Sequence, residues 1–164
     1  MRYVKWIFVV LLISSLTSFV GINKSTNGLN VGDVAPDFSV KASLDEQRLT
    51  LASLKGKYVL LSFWASYDAE SRIRNKKLIH ALYQLPSDVE LVSISFDEYK
   101  SVFEETVRKD RIHVADCFLD VVGEASDIFE SYALNKGFSN YLLDENGVII
   151  AKNIRVPELL SYFN

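Results

Sequence analysis

Apolar residues along this chain follow two different spacings, and each spacing predicts one kind of element. The run at 58–64, apolar except for Ser62, is typical of a strand buried on both faces of a parallel sheet, and the segment at 89–96 is predicted to be the next strand. Apolar positions recur at helical spacing over 69–85, 98–109 and 125–134. Alternation of strands and helices predicts a parallel sheet centre with helices on both faces.

The helical spacing also predicts which side chains face the core. The inward positions of the first two predicted helices are Ile73, Leu78, Ile79, Leu82 and Tyr83, followed by Val102, Phe103 and Thr106. A short strand is expected at 113–118, and an amphipathic helix at 156–163 closes the chain.

Hairpin signals flank this alternating region. Short strand-like pieces at 38–42 and 48–51 enclose a polar turn and predict an N-terminal hairpin. A second hairpin joins 139–143 to 148–151, because the segment between them contains Asn-Gly, the strongest short hairpin signal. The expected fold class is therefore α/β, a central mixed sheet flanked by helices, with an N-terminal β-hairpin extension.

The amino-terminal residues differ in character from the rest. Two basic residues precede an apolar run that starts at Trp6, and small hydroxyl residues follow it, which is the pattern of a secretory signal within residues 1–22. The run 6–22 also reaches the lower limit for crossing a bilayer, so an uncleaved membrane anchor is the alternative. Either interpretation predicts export, to the periplasm or the outer face of the inner membrane. A polar linker is expected at 23–30 and one globular domain at 31–164.

Composition narrows the classes of function. With 18 basic and 21 acidic residues the formal charge is −3, which does not suggest nucleic-acid binding. Cys117 is the single cysteine, so no intramolecular disulfide can form. The two histidines lie far apart in sequence, and no motif for a metal or a cofactor is present. We therefore expect neither a metal site nor a cofactor.

Three sequence blocks, in this order, resemble those of a known superfamily. They are GDVAPDF at 32–38, LTLASLKGK with VLLSFWAS at 49–57 and 59–66, and YLLDENGVI at 141–149. The chain resembles the thioredoxin-fold redoxin superfamily, and it is most similar to TlpA/ResA-type thiol-disulfide oxidoreductases, whose pattern overlaps the opening region of AhpC/TSA proteins. The resemblance covers about residues 31–164 and implies a thioredoxin-like fold.

The residues that carry the chemistry of these relatives are replaced. Family members read W-C-x-x-C-R after F-W-A-S, whereas this chain reads YDAESR at 67–72. Asp68 stands in place of the nucleophilic cysteine and Ser71 in place of the resolving one. Phe138 occupies the position of the family's cis-proline. Disulfide exchange requires an attacking thiolate and a resolving thiol, and neither aspartate nor serine supplies them.

Two residues near this position keep alternative roles open. Asp68 suits the N-cap of the following helix, accepting a bond from the amide of Glu70 or Ser71; the alternative is a catalytic carboxylate. Cys117 is expected at the end of a short strand, and if that strand is parallel to the others, its end opens at the same pole of the sheet as Asp68. There it would be either a half-buried structural residue or a lone thiol that forms mixed disulfides.

Aromatic residues around the replaced site suggest a surface for a partner. In one interpretation, Trp64, Tyr67 and Phe138 form an apolar patch. In the alternative, Trp64 packs in the core and Phe138 only fills the space of the missing proline. The sequence favours a non-catalytic, exported TlpA-like protein that binds an unknown protein partner in the cell envelope. The alternative is a residual thiol-disulfide oxidoreductase acting through Cys117.

Overall fold

A five-stranded mixed sheet, covered by helices, forms the centre of the protein. The computed structural model describes residues 26–41, 48–85 and 89–163. The signal peptide or membrane anchor predicted within residues 1–22 lies outside these described residues.

The elements follow the predicted order. The strands are β1 Ser39–Lys41, β2 Arg48–Thr50, β3 Tyr58–Trp64, β4 Val89–Ser95, β5 Cys117–Leu119, β6 Asn140–Leu143 and β7 Ile149–Lys152. The helices are α1 Ala69–Leu82, α2 Lys100–Asp110, α3 Asp127–Ser131 and α4 Val156–Phe163.

The sheet has the order β5-β4-β3-β6-β7. Strands β3, β4 and β5 run parallel, while β6 is antiparallel to β3 and β7 is antiparallel to β6. Strands β1 and β2 form a separate antiparallel pair near the amino terminus. The predicted fold class, including the N-terminal hairpin, is confirmed.

Strand β3 divides the core into two layers. Its alternate residues Val59, Leu61 and Phe63 belong to one buried cluster, which includes many of the aromatic side chains. Leu60 and Trp64 face the other side of the sheet, in the clusters that α1 and α2 cover. Because both faces are buried, the apolar run 58–64 reads as a strand from sequence alone.

The structure describes residues 26–30 of the predicted linker, and they contact the segment that follows. Asn27 forms an isolated bridge with Val34, and the Val34 N–H donates to the Thr26 carbonyl at 2.8 Å. The Asp33 carboxylate accepts bonds from the Thr26 hydroxyl and from Asn30 N–H. Residues 26–30 are therefore hydrogen-bonded to the start of the predicted domain.

The inward positions of the helices were predicted only in part. Leu78, Ile79, Phe103 and Thr106 are buried as expected, but the prediction that Ile73, Tyr83 and Val102 face the core is wrong. The buried stripe of α1 also contains Ser71 and Asn75, which are polar. A stripe drawn through apolar residues alone therefore misplaced the buried face of this helix.

The bounds of two elements also differ from the prediction. The strand predicted at 113–118 is a 3-10 turn at Val114–Asp116 followed by β5. The helix predicted at 125–134 shortens to α3, which has a 3-10 turn on each side.

Candidate functional site

The position predicted to have lost the dithiol lies where β3 passes into α1, at the carboxyl end of the parallel strands. Asp68 is the N-cap of α1: its backbone is extended, and its Oδ1 accepts a bond from the Ser71 N–H at 2.7 Å. The predicted cap is confirmed, with Ser71 as the donor. The hydrogen bonds from the Ser71 backbone and side chain lower the pKa of Asp68, so its carboxylate is charged at neutral pH.

Ser71 is committed to the structure of this turn. Its side chain is buried, and its hydroxyl donates to the Asp68 carbonyl at 3.2 Å. The Ser71 hydroxyl oxygen also accepts a weak hydrogen bond from the Ala65 N–H at 3.4 Å. These bonds tie the loop to the first turn of α1, and none of them involves a base that would activate the hydroxyl.

Phe138 lies in the loop before β6, facing the start of α1. Its half-buried ring stacks on Phe96 with a centroid distance of 6.0 Å and meets the Phe129 ring edge-on at 6.2 Å. The Tyr67 ring lies 6.3 Å away. The Arg74 guanidinium donates to the Phe138 carbonyl, which joins this loop to α1. Phe138 therefore fills apolar space and also contributes to the surface beside Tyr67.

Asp97 holds the junction in place, although the sequence did not single it out. It is buried just beyond β4, and its carboxylate accepts bonds from the Ser66 N–H at 2.9 Å and the Ser66 hydroxyl at 2.7 Å. The Ser95 hydroxyl donates to it at 2.7 Å, and Thr106 of α2 hydrogen-bonds with the Ser66 hydroxyl at 2.9 Å. An acidic residue directly after an apolar strand, at the carboxyl edge of a parallel sheet, was the available signal.

Cys117 is not where the sequence placed it. It begins β5 rather than ending it, opposite Ser93, the third residue from the carboxyl end of β4. Its side chain is 1% exposed and packs in the cluster that contains Trp64 and Phe103. Burial raises the pKa of the thiol to about 12, although a hydrogen bond with Ser93 opposes this shift. The expectation that Cys117 ends its strand is wrong, because the chain enters β5 only at residue 117.

Trp64 does not belong to the predicted partner surface. It is 1% exposed, its Nε1–H donates to the Ser93 hydroxyl at 2.9 Å, and its ring lies 6.1 Å from that of Phe103. The reason is that β3 is buried on both faces from Val59 to Trp64. Tyr67 is 65% exposed, so it and the half-buried Phe138 remain at the surface.

A cleft of about 870 Å³ adjoins the junction, between α1, the loop at 136–139 and the segment at 153–157. Asp68, Ser71 and Phe138 line it together, so the structure brings the three replaced positions to one place. Its basic lining residues are Arg74, Lys77, Lys136 and Arg155.

The described residues contain no group of three or more His, Cys, Asp or Glu side chains placed to hold a metal ion. No helix within the described ranges is long and apolar enough to cross a membrane.

Comparison with known proteins agrees with this geometry. The model of the AhpC/TSA family matches residues 31–152. The chain belongs to the AhpC/TSA family. It is 29% identical over 151 residues to the thioredoxin-like protein YneN of Bacillus subtilis, covering 88% of this chain and 86% of that protein.

Solved structures have the same architecture. A thioredoxin-like protein from Parabacteroides distasonis is 41% identical, with a TM-score of 0.74 over 85% of this chain and 98% of that one. A thiol-disulfide oxidoreductase from Bacteroides fragilis is 27% identical, with a TM-score of 0.66 over 79% of this chain and 96% of that one. The fold is thioredoxin-like, and the predicted resemblance is confirmed. With one cysteine in the whole chain, no internal dithiol is available.

Proposed function

We propose that this member of the family is an exported thioredoxin-fold protein that has lost dithiol chemistry and acts by binding another protein of the cell envelope. The observation that carries the proposal is the junction itself. Neither position of the pair carries sulfur. Asp68 instead caps α1, and Ser71 is hydrogen-bonded within the turn.

The remaining thiol does not replace the lost pair. Disulfide exchange starts with a thiolate, and burial raises the pKa of the Cys117 thiol to about 12, so the thiol is protonated at pH 7. Cys117 is also buried in the core, so a protein disulfide cannot reach its sulfur without opening of the fold. These two properties argue against a monothiol enzyme and favour a structural role for this residue.

The architecture around the lost site is intact, and this supports a binding role. Asp97 and Arg74 fix the loops at the carboxyl end of the sheet, so Tyr67 is presented on a stable frame. An exposed aromatic residue on rigid loops is a frequent anchor in protein interfaces. Export is supported by the basic and then apolar pattern of residues 1–22.

Reduction of insulin disulfides by dithiothreitol tests the loss of chemistry. We expect the full chain and its Cys117→Ser variant to leave the rate equal to that without protein. A family member that retains both cysteines serves as the positive control. Turnover by the full chain that disappears in Cys117→Ser would contradict the proposal and indicate a monothiol enzyme.

Capture of a partner tests the binding role. The full chain, tagged at its carboxyl end and recovered from its own envelope, should retain the same partner with and without reductant. The Cys117→Ser variant should behave identically. A partner lost on reduction would show a mixed disulfide, which this account excludes.

A further inference from the structure

A second groove, lined by Tyr67 and sharing no lining residue with the cleft, contains several of the exposed apolar side chains of the described residues. We call it the Tyr67–Val122 groove; its volume is about 710 Å³, and it lies between the β3–α1 loop, the start of α2 and the 3-10 turn at Gly123–Ala125. Four of the ten exposed large apolar residues in the described part of the chain line it, namely Tyr67, Tyr99, Val102 and Val122. Surface apolar residues are ordinarily scattered, so this concentration indicates a contact surface.

The charged groups that line the groove are all acidic. They are Asp97, Glu98 and Glu124, and no lysine or arginine is among the lining residues. The Asp97 carboxylate is occupied by its hydrogen bonds, whereas the exposed Glu98 and Glu124 make no ion pair with any described residue. The pKa of Tyr67 is raised, first by partial burial and then by the charges of Glu124, Asp97, Asp68 and Glu98. The groove is therefore both apolar and negatively charged.

This combination selects the chemistry of an occupant. The faces of Tyr67 and Tyr99 attract cations as well as apolar groups, and arginine is the side chain that best satisfies both. Glu98 and Glu124 would pair with such a cation. The apolar side chains that line the groove would then contact the residues next to it in the bound segment. An anionic lipid surface would instead be repelled by the two carboxylates.

We propose that the Tyr67–Val122 groove binds a basic, apolar segment of a partner protein. Tyr67, Tyr99 and Val122 contact its aliphatic or aromatic side chains, and Glu98 and Glu124 pair with its arginine or lysine. This inference rests on the proposed binding function and adds the chemical class of the partner.

Selection from a phage-displayed library of random peptides, with the immobilised full chain as bait, tests it. We expect enrichment of peptides that place arginine or lysine beside aromatic or branched apolar residues. Synthetic copies of the enriched peptides should bind less tightly as ionic strength rises, because the ion pairs are exposed. Enrichment of acidic peptides, or no enrichment over a bait-free support, would overturn the proposal.

Substitutions locate the binding. Glu98→Gln with Glu124→Gln should weaken the selected peptide by roughly fivefold, since an exposed ion pair contributes less than a tenfold change in affinity. Tyr67→Ser should weaken it by roughly tenfold or more, as an aromatic anchor does. The matched control, Glu130→Gln with Glu145→Gln, removes two exposed acids outside the groove and should leave affinity unchanged. Equal effects of the two charge-neutralising pairs would overturn the assignment.

Two further measurements distinguish a partner protein from a second copy of the chain, and failure of the groove proposal from failure of the proposed non-catalytic function. Self-association of the full chain that Glu98→Gln with Glu124→Gln abolishes would identify a second copy as the occupant and would overturn the proposal. The insulin assay is independent of the groove: turnover with intact peptide binding would refute the non-catalytic role alone. Absence of both turnover and peptide binding would refute the groove alone.

Discussion

The N-cap at Asp68 gives a direct test of how the replaced site now serves the fold. Asp68→Ala removes the oxygen that accepts the Ser71 N–H at 2.7 Å. Because Ser71 is buried, water cannot readily replace that acceptor, and the cost should lie in the upper part of the range for lost caps. We expect the free energy of unfolding to fall by about 1.5 kcal/mol and the melting temperature by about 4 °C.

Asp68→Asn is the matched control, since asparagine keeps the accepting oxygen and removes the charge. It should cost only about 0.5 kcal/mol, the contribution of a negative charge at a helix N-terminus. Urea unfolding of the full chain, followed by circular dichroism, measures both variants. Equal losses for alanine and asparagine, or no loss for alanine, would refute the capping argument.

The pH dependence follows from the lowered pKa of Asp68. A carboxylate whose pKa is lower in the folded state stabilises the protein above the unfolded pKa, and that contribution is lost as pH falls through the folded value. The difference in stability between the native chain and Asp68→Asn should therefore shrink as pH falls below about 4.

Three further predictions concern the frame around the site. Asp97→Ala should lower the free energy of unfolding by about 3 kcal/mol in urea titrations, because the Ser66 N–H loses its buried acceptor; a loss below about 1 kcal/mol would contradict its role. Asp110→Asn should cost about 2 kcal/mol in the same assay, since the buried Asp110 carboxylate holds Arg72 through bonds of 2.7 and 3.0 Å, and an unchanged midpoint would count against that pair. Cys117 should react with iodoacetamide only after unfolding in urea, as followed by mass spectrometry, and rapid alkylation of the folded chain would contradict its burial.

The fold was predictable because its main strands and hairpin turn have clear local sequence signals. The run at 58–64 matches β3 residue for residue, and Asn-Gly marks the turn between β6 and β7. The cap at Asp68 was also predictable from local sequence, because aspartate is one of the preferred N-cap residues and this one directly precedes a helical pattern.

What the sequence could not supply was the environment of single side chains. Trp64 and Tyr67 are three residues apart, yet one is in the core and the other is exposed, because β3 ends between them. Cys117 was misplaced because a 3-10 turn, which apolar spacing does not reveal, precedes β5.

The bonds that fix the junction join distant parts of the chain. Asp97 meets Ser66 across 31 residues, and Arg74 reaches Phe138 across 64. Periodicity within one element carries no information about such pairs. The first pair forms because the sheet brings the carboxyl ends of β3 and β4 together, and the second because the loop before β6 lies beside α1.

The most direct test of the central claim is to restore the pair with Asp68→Cys and Ser71→Cys in a Cys117→Ser background. If these positions are the former dithiol, mass spectrometry after mild oxidation should find a disulfide between residues 68 and 71. The variant should also accelerate insulin reduction, while the Cys117→Ser parent does not. Two thiols that stay unpaired under oxidant, in a variant that remains folded, would contradict the assignment of this junction.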